Sequence, residues 1–357
     1  MNFTDRRNFI PIMSIYYLSL PDTTAQQIGR YTAMGYIFSL IFQIPAGMIG
    51  DKFGNKIPLV ISKICLLCSS LMLVIGDNFR YFLVASVMIS LGQGVFSTGK
   101  ISAFLHDTLG EMRKENDFVK VSSRMRGRIS LISVFFIIGL PFFTSISLVF
   151  PFIIGLGIDI IGLIVAFSLF PVGGSKKKKE PISIAEVKQT LKESKGSLLF
   201  PVILFGSIIS AFLLIDGSFR SPYLEELGYP IARIGMVMGI SRLVRFIVSR
   251  YAHKIEQRIP FKKLIVAEIF LFTFYYISAS FLTNPYLIGI VFSLTVGYLH
   301  GRSDIYTDHI INLIPGKKHK STILSIRNRI TSVIQISMIL VAGYVMDISF
   351  SLGFLVL

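Results

Sequence analysis

Residues 47–56 read GMIGDKFGNK, and the sixteen residues before them, YTAMGYIFSLIFQIPA (31–46), carry no charge. Directly after Lys56 a second apolar stretch begins. An Asp set among glycines and followed by two lysines therefore sits between two runs of roughly 20 apolar residues, the length that crosses a bilayer as a helix. The decapeptide reads as a tight polar turn joining two membrane helices.

The rest of the chain has the same composition. Of its 357 residues 52% are hydrophobic and 16% are charged, with a mean hydropathy of +0.67; a soluble domain has about a quarter of its residues charged. Apolar segments recur near 31–50, 57–76, 81–106, 129–149, 151–171, 198–219, 231–249, 264–282, 286–306 and 330–346. Two shorter pieces flank them, PIMSIYYLSL from Pro11 and SFSLGFLVL at the C-terminus. Each is about half a spanning length or a little more, so both read as incomplete helices. The apolar runs do not alternate with polar residues, which excludes a transmembrane β-barrel. The class is all-α and polytopic.

The formal net charge of +16 is distributed by topology. Lys and Arg crowd into alternate connections: Lys52 and Lys56; Arg113 to Arg124; Lys176 to Lys195; Lys254 to Lys263; Lys317 to Lys320. The connections between these, such as GDNFR, FFTSIS and LTNP, carry almost none. The positive-inside bias makes the first set cytoplasmic, with the N-terminus and the central linker inside. Nucleic acid is not an expected partner, because RNA binding needs exposed aromatic platforms and these aromatics lie in the spans.

The longest polar stretch, 173–197, divides the chain into a first bundle (1–172) and a second (198–357), with Ser183 and Glu186 marking a short capped helix inside the linker. The two sides repeat. Asp107 and Asp308, Arg126 and Arg327, and Arg128 and Arg329 are each 201 residues apart, and a shift of 206 lays YYLSLPDTTAQQIG over PYLEELGYPIARIG. A period of half the chain means duplication.

GMIGDKFGNK resembles the GxxxDxxGxxK signature of the major facilitator superfamily, and SRYAHKIEQR (249–258) resembles a decayed second copy. TGKISAFLHDTL followed by RGRIS is similar to a drug-efflux-like branch. The resemblance covers nearly the whole chain and implies two pseudo-symmetric six-helix bundles. Against that pattern the first and last helices are incomplete, so a complete transporter is expected to need residues beyond these.

Physically, Gly47 and Gly50 would let two helix backbones approach closely, while Gly54 suits a turn with positive φ. Asp51 would accept from N–H groups at a helix N-terminus, an interaction of about 0.3 to 2 kcal/mol. The resemblance implies that this helix lies in the other half, near Ser321 to Ser325, as a cytoplasmic latch. Lys52 and Lys56 read either as inside-positive anchors or as steadying groups for it. Asp107 with Arg126 and Arg128, and Asp308 with Arg327 and Arg329, place opposite charges at the inner ends of adjacent helices. They serve as a gate or as passive pairs, and surface pairs are worth only about 0 to 1 kcal/mol.

A charge at a helix centre costs about 2.5 to 3.5 kcal/mol unless it faces protein or water. Arg242 and Arg245, three apart, should therefore look inward. Asp159, Asp216 and Glu268 are buried-looking acids, and His300, Asp304 and Asp308 form a titratable stripe. The resemblance implies a central cavity lined by the first, fourth, seventh and tenth spans, which places Lys100, Asp216, Arg302 and Asp304 at or near it. Asp304 or Asp216 would serve as a proton-carrying carboxylate; the alternative is a static pair such as Lys100 with Asp304.

Cys65 and Cys68 read as small hydrophobes in a span, and no HExxH or GxSxG occurs. No enzyme, cofactor or metal is expected. The reading is a monomeric secondary transporter of small molecules in the cell membrane, working by alternating access as a proton-coupled exporter. The alternative is a non-transporting receptor or a lipid-flipping relative on the same fold.

Overall fold

The computed structural model describes residues 3–114, 117–170, 199–313 and 320–357; the side chains of 51, 119, 126, 304 and 320–322 lie outside what it describes. The linker 173–197, with Ser183 and Glu186, falls outside the described residues. The rest is helical: α1 (Ile10–Leu18), α2 (Ala25–Phe53), α3 (Lys56–Ile75), α4 (Phe79–Ile89), α5 (Lys100–Glu111), α6 (Phe118–Gly139) and α7 (Phe150–Phe167), then α8 (Leu199–Glu226), α9 (Ile234–Arg258), α10 (Phe261–Phe281), α11 (Pro285–Gly301), α12 (Ser303–Leu313), α13 (Lys320–Ile348) and α14 (Phe350–Val356).

Among the described residues eight helices are long and apolar enough to cross a membrane. They match eight of the ten full-length segments expected. The other two are α9, whose apolar stretch is interrupted by Arg242 and Arg245, and α11, which has 17 residues and runs on into α12 across Arg302. α1 is short, with 9 residues.

Local chemistry fixes the ends. Thr24 caps α2 in a capping box with Gln27, so that helix begins six residues before the uncharged run. Asn78 caps α4 by accepting from Arg80 N–H, and Asn284, 206 positions later, caps α11 by accepting from Tyr286 and Leu287 N–H. The fourth span is not a plain α-helix. It widens into a π-helix over Ser90–Ser97, turns at Gly99 (φ +77°), and resumes as α5. Such widenings are rare and concentrate at functional positions.

The chain divides into two compact units, Met1–Lys178 with Pro230–Gly235, and Lys179–Tyr229 with Met236–Leu357. In the first unit α3 packs on α7 and α4, and α2 on α4 and the π-helical turn. Ala46, Val87, Leu91, Val95 and Phe96 form a buried apolar cluster there. In the second unit α13 packs along α8, and α10 against α14 and α11. A cluster including Leu199, Ile203, Tyr306 and Ile310 fills that interior. Large apolar side chains also lie outward: Phe135 is 77% exposed and Phe270 71% exposed. A water-soluble surface does not carry such side chains in quantity; lipid accepts them.

Candidate functional site

In the signature turn, Gly54 adopts φ +77° and ψ 171°, a conformation that side chains disfavour. Asn55 donates to the Asp107 carboxylate at 2.9 Å, and Lys56 donates to the Phe167 carbonyl at 3.1 Å, placing a cation on the C-terminal end of α7. Lys52 is exposed and lies over the ring of Phe53. Among the described residues no second helix backbone lies against Gly47 or Gly50. A Cβ on Gly47 would meet nothing within 4 Å, and one on Gly50 would meet the Lys100 ammonium, the far end of a flexible side chain. Lys100 therefore reaches back over the end of α2.

The side chains of Asp51, Arg126 and Asp304 lie outside the described residues, so the expected latch and the Lys100–Asp304 pair are not described. Arg128 and Arg329 are exposed. Asp107 takes Asn55 as its partner. Asp308 accepts from Asn312 at 2.7 Å, and Arg327 donates to Thr307 at 3.3 Å. Nearby, His309 stacks on Phe261, and burial under that ring holds its imidazole below the ordinary range, with Glu256 and Asp308 acting in the opposite direction.

The first unit holds a charge network of which sequence reading found Asp159 alone. Arg7 donates to Asp159 at 2.6 Å and to Ser70 at 3.2 Å. Lys63, fully buried in α3, donates to Thr4 and pairs with Asp5. The π-helical turn completes the cage: Ser97 donates to the Asp5 carboxylate and Gln93 to the Asp5 carbonyl. Residues 3–9 are irregular backbone packed inside the unit, as membrane depth requires of any non-helical segment.

The second unit carries two buried pairs. Asp216 lies 3.2 Å from Arg220 and accepts from the Tyr275 hydroxyl. Glu268 lies 2.7 Å from Arg302 and accepts from Tyr298 and Tyr306, whose ring also underlies the Arg302 guanidinium at 3.9 Å. Arg220 donates to the thioether of Met238 on α9, a weak acceptor for a guanidinium. Of the expected inward pair, Arg242 is half-buried and Arg245 is exposed; His300 is exposed. Asp216 and Arg302 are thus buried charges, joined by Arg7, Lys63 and Asp5, while Lys100 is half-buried and His300 exposed. Removing one partner from such a pair costs about 3 to 5 kcal/mol, because the other is left charged and dry.

The sequence profile of the Major Facilitator Superfamily matches residues 1–337. An uncharacterized MFS-type transporter of Bacillus subtilis (strain 168), YxaM, is 24% identical over 264 residues, covering 70% of this chain and 63% of its own. An uncharacterized transporter of Buchnera aphidicola subsp. Baizongia pistaciae (strain Bp) is 27% identical over 139 residues, 39% of this chain and 31% of its own. The matches thus span about a third to just under two thirds of those relatives' lengths. Among solved structures, a point mutant of nucleoside transporter NupG superposes with a TM-score of 0.85 at 12% identity, over 99% of this chain and 92% of that one. The likeness to NupG is one of fold.

Proposed function

The chain belongs to the Major Facilitator Superfamily, and from that membership we propose that it is a secondary active transporter of small molecules, working by alternating access and coupling export to proton entry. It acts as a monomer in the cell membrane, with its N-terminus and the 173–197 linker on the cytoplasmic side.

The observation that carries the proton-coupled reading is Asp216. It is 2% exposed in α8, one turn from Arg220 and held by Tyr275. A membrane-buried carboxylate has two states of very different partner preference: ionised, it needs Arg220; protonated, it does not. An acid of that kind can exchange one conformation for another at the cost of one proton. The direction of transport follows the efflux-like segment TGKISAFLHDTL with RGRIS. Both sides of the cytoplasmic arrangement in the first unit, Asn55 with Asp107 and Lys56 with the end of α7, suit a gate that reports the position of the signature turn.

Flux in proteoliposomes with an imposed pH gradient tests this, starting from nucleosides because NupG, at TM-score 0.85, is named a nucleoside transporter. The intact chain should move solute against its gradient when protons flow the other way. Asp216→Asn should lower gradient-driven flux by at least about tenfold while leaving solute exchange at zero gradient. Flux that is indifferent to the gradient in the intact chain and unchanged in Asp216→Asn and Asp304→Asn would remove proton coupling. Movement of no solute at all would remove transport.

A further inference from the structure

The last turn of α11 lies against the middle of α9 so closely that a Cβ on Gly301 would sit 2.9 Å from the Arg245 carbonyl and 2.7 Å from Val248. The tripeptide His300–Gly301–Arg302 therefore abuts the turn that carries Arg245. Arg245 and His300 are exposed. Arg302 is 3% exposed, and its Nη2 has no hydrogen-bond partner among the described residues. His300 keeps part of its surface open while the surrounding protein desolvates its ring, and the charges of Arg245, Arg220 and Arg302 also bear on it.

Four cationic or protonatable groups brought together by α8, α9 and the end of α11 repel one another. The acids described beside them are already engaged, Asp216 by Arg220 and Tyr275, and Glu268 by Arg302, Tyr298 and Tyr306. An arginine emerging midway along a helix cannot face acyl chains without a penalty of about 2.5 to 3.5 kcal/mol, so the face that bears Arg245 and His300 is wet. A buried guanidinium with an unused N–H, next in sequence to a glycine packed on the turn that carries an exposed arginine, suits recognition of a planar or tetrahedral oxyanion.

We propose that Arg245, His300 and Arg302 form a binding site for an anionic group, a carboxylate or phosphate, on the transported solute. Arg220 adds to the field without contacting that group. The identification of the ligand as cargo rests on the transporter reading above; the binding itself does not.

The test uses the purified full chain in detergent, with ligand pairs of which one member carries an anionic group: uridine 5′-monophosphate against uridine, and benzoate against its near-isostere benzamide, with inorganic phosphate as a third probe. The anionic member of a pair should raise the Tm and bind measurably, less so at raised salt, and the neutral member should not. Arg245→Gln should weaken that Kd by at least about tenfold, with Arg245→Lys intermediate. Arg258→Gln, at the far end of the same helix, should leave it unchanged. Asp304, one turn beyond His300 in sequence, enters as Asp304→Asn, which should bind the anion as tightly or more so. Equal binding of neutral and charged members, retention of affinity in Arg245→Gln, or a tenfold loss in Asp304→Asn would each overturn the site. Stabilisation by phosphatidylglycerol in the micelle with no effect of any soluble anion would overturn it in favour of a lipid headgroup. Anion binding without flux in proteoliposomes would keep the site and remove transport; flux of a neutral solute without anion binding would do the reverse.

Discussion

Lys63 has no water to turn to. It is fully buried, with its ammonium between the Thr4 hydroxyl and the Asp5 carboxylate, and Asp5 in turn accepts from Ser97. The pair should therefore behave as a unit. Lys63→Met strands the Asp5 carboxylate and should destabilise the first unit by about 3 to 5 kcal/mol, whereas Lys63→Met with Asp5→Asn should recover much of that loss, since replacing both partners of a buried pair can be close to neutral. A double-mutant cycle on unfolding in detergent reads the coupling; additive single effects would mean the two groups do not depend on each other. This network is invisible in the sequence for a physical reason. One lysine in a run of twenty hardly changes its hydropathy, and its partner lies 58 positions away in a segment that has no periodicity. Asp159, Asp216 and Glu268 are legible as buried acids because each interrupts an apolar run, but their arginine and tyrosine partners are set by packing, which single-sequence pattern does not encode.

At the scale of elements, α11 presents a small-residue face to α9. Gly289, Ser293, Gly297 and Gly301 recur every four residues, and Ser293 donates to the Val237 carbonyl while Ser241 donates to the Ser293 carbonyl. A Cβ on Gly297 would lie 2.6 Å from the Ser241 carbonyl, which is backbone and cannot swing aside. Gly297→Ala should thus cost about 1 to 3 kcal/mol through overpacking. Gly47→Ala meets open space and should be neutral, or should stabilise α2 by up to about 1 kcal/mol through helix propensity. Thermal melts of the two variants side by side decide it, and equal losses would mean the spacing around Gly297 is looser than described. The glycines of the signature draw attention because of their pattern, yet the glycine that two helices need sits in an ordinary run of span residues. The helices themselves are readable from hydropathy because membrane length sets their size, although α6 begins at Phe118 and α13 at Lys320, ahead of the apolar segments expected from 129 and 330. What escapes is the detail at their ends and breaks: the Thr24–Gln27 box and the π-helical turn at Ser90–Ser97, which no apolar count registers.

For the whole molecule the open quantity is how many times the chain crosses the bilayer, and the charge pattern makes a definite statement about it. Tyr17 and Tyr223, 206 positions apart, are both fully buried in aromatic clusters, one with Phe82 and Tyr31, the other with Phe292 and Phe354. If each half crosses in the same sense, the connections near Asn55, Arg113 and Ile259 lie inside and those near Asp77, Gly228 and Thr283 lie outside, in agreement with the lysines and arginines that crowd the first set. Reporter enzymes or fluorescent proteins fused at these six positions should alternate accordingly. The informative pair is Gly228 and Ile259, because α9 between them falls short of the spanning criterion once Arg242 and Arg245 are counted against it. Opposite sides for that pair mean that α9 crosses with its arginines in hydrated surroundings. The same side for both would mean that α9 does not cross, and the duplicated topology would fail together with the wet face on which an anion at Arg245 depends.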